Sequence, residues 1–134
     1  MPSLPNEEAV TFFEAAVKLE PTLVIAHHNL GLAYSKLIPG EDDPAKIKDL
    51  ADKSAEHFGI YLKQFPKDNL IRDKMTQIWL DADEFDKALA YWENEHKVDP
   101  SNRDVVGVLA TINYKAGNWE KAIEWLQTSA DMAT

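Results

Sequence analysis

The sequence predicts an all-α fold of antiparallel helix pairs, and three observations carry that prediction. One spacing returns along the chain: Ala9-x3-Phe13-x2-Ala16-x4-Pro21, Ser54-x3-Phe58-x2-Tyr61-x4-Pro66, Ala88-x3-Trp92-x2-Glu95-x4-Pro100, with a fourth start at Ala122-x3-Leu126. Pro66 to Pro100 and Ala88 to Ala122 are both 34 residues, a period at which helical repeats stack. Between the prolines, apolar residues recur at the i, i+3, i+4, i+7 spacing of one buried helix face, and polar or glycine punctuation separates the segments.

The elements follow in order. A helix over about 7–19 places Ala9, Val10, Phe13, Ala16 and Val17 on one face. The next, about 24–38, carries Leu30, Ala33, Tyr34 and Leu37, and within it the half-pattern Leu30-Gly31-x2-Tyr34. Later helices fall at about 69–81, 85–98, 103–116 and 119–132. Asp83 and Asn118 are suited to N-caps, Ser101-x2-Asp104 to a capping box, and Gly117 to the left-handed residue that ends a helix. Trp79, Trp92 and Trp119 fall at core positions, whereas Trp125 is the tryptophan expected at the surface.

One step is irregular. Trp79 to Ala88 is 9 residues, but the equivalent Tyr34 to Ser54 is 20, an insertion of 11 placed near 39–50. Eleven residues make close to three helical turns, so a lengthened helix keeps its buried face in phase. Asp43 can cap it and Pro44 suits its first position. Ile47, Leu50, Ala51, Ser54, Ala55, Phe58, Tyr61, Leu62 and Phe65 continue one stripe. The spacing predicts a helix over 44–65 after a loop at 39–43, extending roughly 16 Å past its neighbours at about 1.5 Å per residue. Ile47 and Leu50 either pack over Leu37 and Ile38 or form a second surface for a partner.

With these motifs the chain resembles the tetratricopeptide repeat (TPR) family over essentially its whole length. The resemblance implies a right-handed α-α superhelix of about seven helices, a single array over 1–134. It divides into a half repeat at 7–21 and repeats at 24–66, 69–100 and 103–134. The chain opens on the second helix of a repeat at Met1 and stops where the next proline is due, so it reads as about three and a half repeats of a longer array. The pattern drifts: His27, Arg72 and Val106 hold the large-aromatic position of the first helices (A), and Tyr61 and Glu95 hold a small-residue position of the second helices (B).

Composition narrows the partner. Net charge is −9, from 14 basic and 23 acidic residues, which repels phosphate backbones and anionic lipid; no nucleic acid is expected. A basic peptide is favoured by that charge, although acidity commonly serves solubility alone. No cysteine is present, which excludes disulfides and thiolate sites and leaves the compartment open. No apolar run reaches the roughly 18 residues of a membrane span, so direct insertion is not expected.

Nothing in the sequence assembles catalytic or cofactor chemistry, and the reading is of a non-enzyme without cofactor or metal. His27 and His28 are adjacent, so on a helix they diverge and cannot chelate one ion. Glu93-x2-His96 has the spacing that one helix gives a dimetal site, but no second copy exists. The carboxylates at 41–43 lack the alternation of a calcium loop. There is no phosphate-cradling glycine loop and no nucleophile elbow.

The family resemblance implies that A helices line a concave groove receiving a peptide or partner protein. Its residues here would be Ile25, His28, Asn29 and Leu32 from the first A helix and Leu70, Asp73, Lys74 and Gln77 from the second. The third would add Asp104, Gly107, Val108 and Thr111. Chaperone-binding members hold a terminal carboxylate in a clamp whose positions His28, Leu32, Lys74, Asp104 and Val108 do not match. One repeat earlier, Asn29 and Lys74 match but Leu70 replaces a base, so no such clamp is expected. The expected function is a protein-interaction scaffold. The alternative is a self-assembly segment forming homo-oligomers through repeat ends or the helix at 44–65, since uncapped ends of an array expose apolar faces.

Overall fold

The computed structural model describes residues 6–134; the expected opening of the array at Met1 lies outside them, and the half repeat expected at 7–21 lies within them. The described residues form seven α-helices and no strand: α1 (Asn6–Leu19), α2 (Val24–Leu37), α3 (Pro44–Gln64), α4 (Asn69–Asp81), α5 (Phe85–Val98), α6 (Arg103–Lys115) and α7 (Trp119–Met132). They divide into two compact units, one ending at Ala82 and one spanning Asp83–Thr134.

In the first unit, contacts run in opposite directions along neighbouring helices. Asn6 reaches Lys36 while Glu14 bonds Tyr34; His28 meets Tyr61 while Tyr34 meets His57. Each helix is therefore antiparallel to the one before it. Val10, Val17, Leu30, Ala33 and Tyr34 make the core between α1 and α2, with Ala9, Phe13, Leu37 and Leu50 against them.

Gly31 explains how close α2 and α3 come. A Cβ built there would sit 2.6 Å from Phe58 Cδ1, so only glycine admits the Phe58 ring, which is fully buried. Beside it the Ser54 hydroxyl donates to the Gly31 carbonyl at 2.7 Å. A small residue on one helix and a large one on its neighbour interdigitate at crystal-like density.

The long helix is present, with 21 residues. Asp43 caps it by accepting from the Ala45 amide, and Pro44 opens it. The preceding segment is not wholly loop, because Ile38–Gly40 forms one 3₁₀ turn. Leu50 is half-buried against the α1–α2 core. Ile47 lines a small cavity with Ile38, Pro39 and Ile78. The added turns are thus covered on one side by α2 and the turn after it. Ile47→Asp with Leu50→Asp should lower stability by about 1.5–3 kcal/mol, roughly half the value of fully burying each of the two side chains. A melting temperature unchanged from wild type would show these residues to be effectively solvated.

The second unit repeats the design. Arg103 bonds Ser129 at one end of α6 and α7, and Tyr114 and Trp119 line one cavity at the other, so the two helices are antiparallel. Ala88, Trp92, Val105, Val106, Leu109 and Ile112 are buried. Gly117 ends α6 with φ of 80°. The Gly117 amide bonds the Tyr114 carbonyl, and the Asn118 amide bonds the Asn113 carbonyl, closing a Schellman motif.

Four local expectations are corrected. Asp83 does not cap α5: its φ is 57°, the left-handed position that Gly117 occupies 34 residues later, and Glu84 stands at the cap position with its carboxylate turned to Lys87 rather than to the helix amides. Asn118 occupies the α7 cap position, but its side chain donates to Asn113 instead. Asn102, not Ser101, caps α6, accepting from Asp104 and Val105 amides, while the Ser101 hydroxyl turns to Asp99. Trp119 is 63% exposed and Trp125 is half-buried, the reverse of the expected order. Trp125 lies edge-on to His96, whereas no helix of the described residues covers the Trp119 face of α7.

Candidate functional site

The A helices present their residues unequally. On α2, Ile25 is 52% exposed, while His28, Asn29 and Leu32 are half-buried. His28 Nδ1 donates to Asn29 Oδ1 at 3.0 Å, and its ring tilts over Tyr61 with centroids 4.8 Å apart. Asn29 and Leu32 line a cleft of about 360 Å³ between α1 and α2, with Asn6, Phe13 and Lys36 at its sides.

On α4, Leu70 is 78% exposed, and Asp73, Lys74 and Gln77 are exposed beside it. Gln77 Nε2 donates to Asp81 Oδ1 at 2.7 Å, which orients its amide along the helix. Asp68 caps this helix through the Ile71 amide and accepts from the Tyr61 hydroxyl at 2.7 Å. That bond holds the Asp68 carboxyl below its ordinary range and raises the Tyr61 phenol, each group stabilising the other's existing protonation state.

On α6, Asp104 and Thr111 are exposed and Gly107 and Val108 half-buried. The Thr111 hydroxyl donates to the Gly107 carbonyl at 3.0 Å. No atom comes within 4 Å of where a Gly107 side chain would stand, which leaves a shallow open spot.

Ile47 and Leu50 lie apart from the A-helix residues named above, Leu50 against the α1–α2 core and Ile47 beside the 3₁₀ turn and Ile78 of α4. A further feature lies, Thr111 apart, outside the site residues expected from the sequence. Ala110, Thr111, Tyr114, Trp119, Ala122, Ile123 and Leu126 line an open apolar cavity of about 400 Å³ between α6 and α7. Tyr114, Trp119, Ile123 and Leu126 are each at least 59% exposed. The spacing of Trp119, Ala122, Ile123 and Leu126 signals an apolar stripe, but not whether another helix covers it.

Among the described residues, no group of three or more His, Asp or Glu side chains could hold a metal ion. Nor is any helix among them long and apolar enough to cross a membrane.

Known proteins bear on the fold. No protein-family model matches the sequence, and no curated protein matches it. Solved structures do. A MamA structure aligns over 95% of this chain with TM-score 0.60 and 14% identity, and a MamA RS-1 double mutant over 95% with TM-score 0.56 and 20% identity. A human IFIT1 dimer with PPP-AAAA aligns over 96% with TM-score 0.51 and 13% identity. This chain spans 63%, 65% and 44% of those chains, respectively. With the repeat spacing and the antiparallel helix pairs, these alignments give the protein a tetratricopeptide-like helical-repeat fold.

Proposed function

We propose that this chain is a protein-interaction scaffold, one repeat array that captures a peptide or partner protein on the exposed faces of its A helices. The supporting observation is the exposure of Leu70 and Ile25. Both are large apolar side chains on A helices, surrounded by amide and charged groups rather than by core. Such a mixture suits side-chain-specific capture, with apolar anchors for affinity and polar neighbours for register. Preformed helices add little ordering cost of their own, so mainly the ligand is immobilised. The PPP-AAAA ligand of IFIT1 is not carried over, because a net charge of −9 opposes a phosphate chain.

A second reading has its own observation. The α6–α7 cavity leaves Trp119, Ile123 and Leu126 exposed to solvent, an apolar trough that suits self-assembly. One experiment separates the two. Affinity capture from the source lysate, read by mass spectrometry, would compare wild type, Asn29→Ala/Lys74→Ala/Gln77→Ala, and Trp119→Gln/Ile123→Gln. A protein retained by wild type and the third variant but lost from the second supports the A-helix reading. Ligands lost only from the third variant, or capture of the chain's own copies alone, would transfer the function to the α6–α7 trough.

A further inference from the structure

Two imidazoles from different helices meet in the first unit. His27 Nδ1 lies 2.9 Å from His57 Nδ1, with ring centroids 5.1 Å apart and planes 23° from parallel. The other nitrogen of His27, Nε2, lies 2.8 Å from the Pro21 carbonyl oxygen. His27 is 6% exposed and His57 is half-buried. The corresponding A-helix positions in later repeats are Arg72 and Val106, so no other repeat in the chain holds this pair.

The proton positions follow from the acceptor at the end of the chain of bonds. A carbonyl oxygen only accepts, so His27 carries its proton on Nε2 and turns a bare Nδ1 to its partner. The bond across the pair then requires His57 to donate from Nδ1. One backbone oxygen thereby sets both tautomers and ties the turn after α1 to α2 and α3. A first added proton can sit on His57 Nε2 with this bond intact. A second would have to enter at His27 Nδ1, directly facing the His57 Nδ1–H. Two N–H groups and two positive charges would then meet across 2.9 Å.

We infer that His27 and His57 form a proton-sensitive clasp that fastens the α1–α2 turn, α2 and α3 at neutral pH and releases them on acidification. The surroundings set the direction. Tyr34 from α2 stacks on the His57 ring, and its hydroxyl donates to Glu14 of α1 at 2.5 Å. Lys53 lies over the Tyr34 ring. Burial pushes His57 below its ordinary range and the neighbouring His27 pushes it further; Glu56 and Glu14 oppose them without prevailing. Because the folded state binds the proton less well than the open chain, the stabilisation is complete above about 6.5. It is lost as pH falls through the lowered midpoint. Tyr34 is raised by burial and by its Glu14 bond, so it keeps its proton throughout. Asp68 is held low and titrates only at more acid pH.

The test is histidine-ring ¹⁵N NMR with amide exchange, both followed from pH 8 to pH 5. At pH 8 His27 should appear as the Nε2–H tautomer and His57 as Nδ1–H. Protection of α2 and α3 amides, corrected for intrinsic exchange rates, should fall by up to about tenfold per pH unit below 6.5, where opening binds one more proton. Amides of α6 serve as the internal reference. His57→Asn supplies an amide N–H near the Nδ1 position without titrating and should flatten the α2–α3 response while His28 remains. The opposite tautomers in either ring would overturn the clasp. So would doubly charged rings with unchanged α2–α3 protection, or an Asn variant with the wild-type slope. If that variant does not fold, the wild-type tautomers and the α6 comparison decide.

Discussion

Phe58→Ala is expected to lower the stability of the first unit by about 3–5 kcal/mol, the range for removing a fully buried aromatic ring. The ring has no solvent exposure and lies against Gly31 on the neighbouring helix, so its removal leaves a void between α2 and α3. The converse change is also costly. Gly31→Ala drives a methyl to 2.6 and 2.7 Å from two Phe58 ring carbons, and such overpacking costs about 1–3 kcal/mol. The two effects share one space. Gly31→Ala with Phe58→Leu should therefore cost less than the sum of the single changes, by about 1 kcal/mol or more. Urea unfolding followed by Trp79, the tryptophan of this unit, measures all four corners of the cycle. Strict additivity would mean that Phe58 and residue 31 do not compete for the same volume.

That packing also shows what a sequence can reveal. Helices are legible because the apolar period repeats within each segment, and the 21-residue α3 because eleven extra residues preserve its face. The exposure of Ile25, Leu70, Lys74 and Gln77 is the complement of the same pattern and is legible for the same reason. Caps were less legible, since Ser101 and Asn102 are both good cappers. The choice between them depends on Asp99 capturing the Ser101 hydroxyl at 2.7 Å. Asp83 reads as a cap by residue type, yet the turn before α5 needs a left-handed residue there. The half-burial of His28 comes from Tyr61, 33 residues away in sequence, and the His27–His57 pair from the register of α2 against α3. Such pairings depend on which helix faces which side chain, and no local pattern records that. Trp119 illustrates the same limit: its spacing is that of a core residue, but only a covering helix would make it one.

Ala88→Glu tests the second unit in the same terms. Ala88 has no solvent exposure in a segment where α6 packs on α5, and an uncompensated carboxylate in such a seam costs about 3–5 kcal/mol. Domains are stable by only about 0.05–0.15 kcal/mol per residue, so this loss should abolish or nearly abolish the folding transition of Asp83–Thr134. Ala122, one period later, is also buried at 4% exposure, but it borders the open α6–α7 cavity. A glutamate there can swing its carboxylate into water, and Ala122→Glu should cost less, about 1–2 kcal/mol. Acidity supplies the sign. A glutamate buried at 88 has a raised folded-state affinity for its proton, so the penalty is greatest above the ordinary carboxylate range and shrinks as pH falls toward 4. Thermal melts of both variants at pH 7 and pH 4.5 would measure it. Equal losses at the two positions would show the trough to be closed. A wild-type melt for Ala88→Glu would show that the 34-residue register places the wrong residue in the seam.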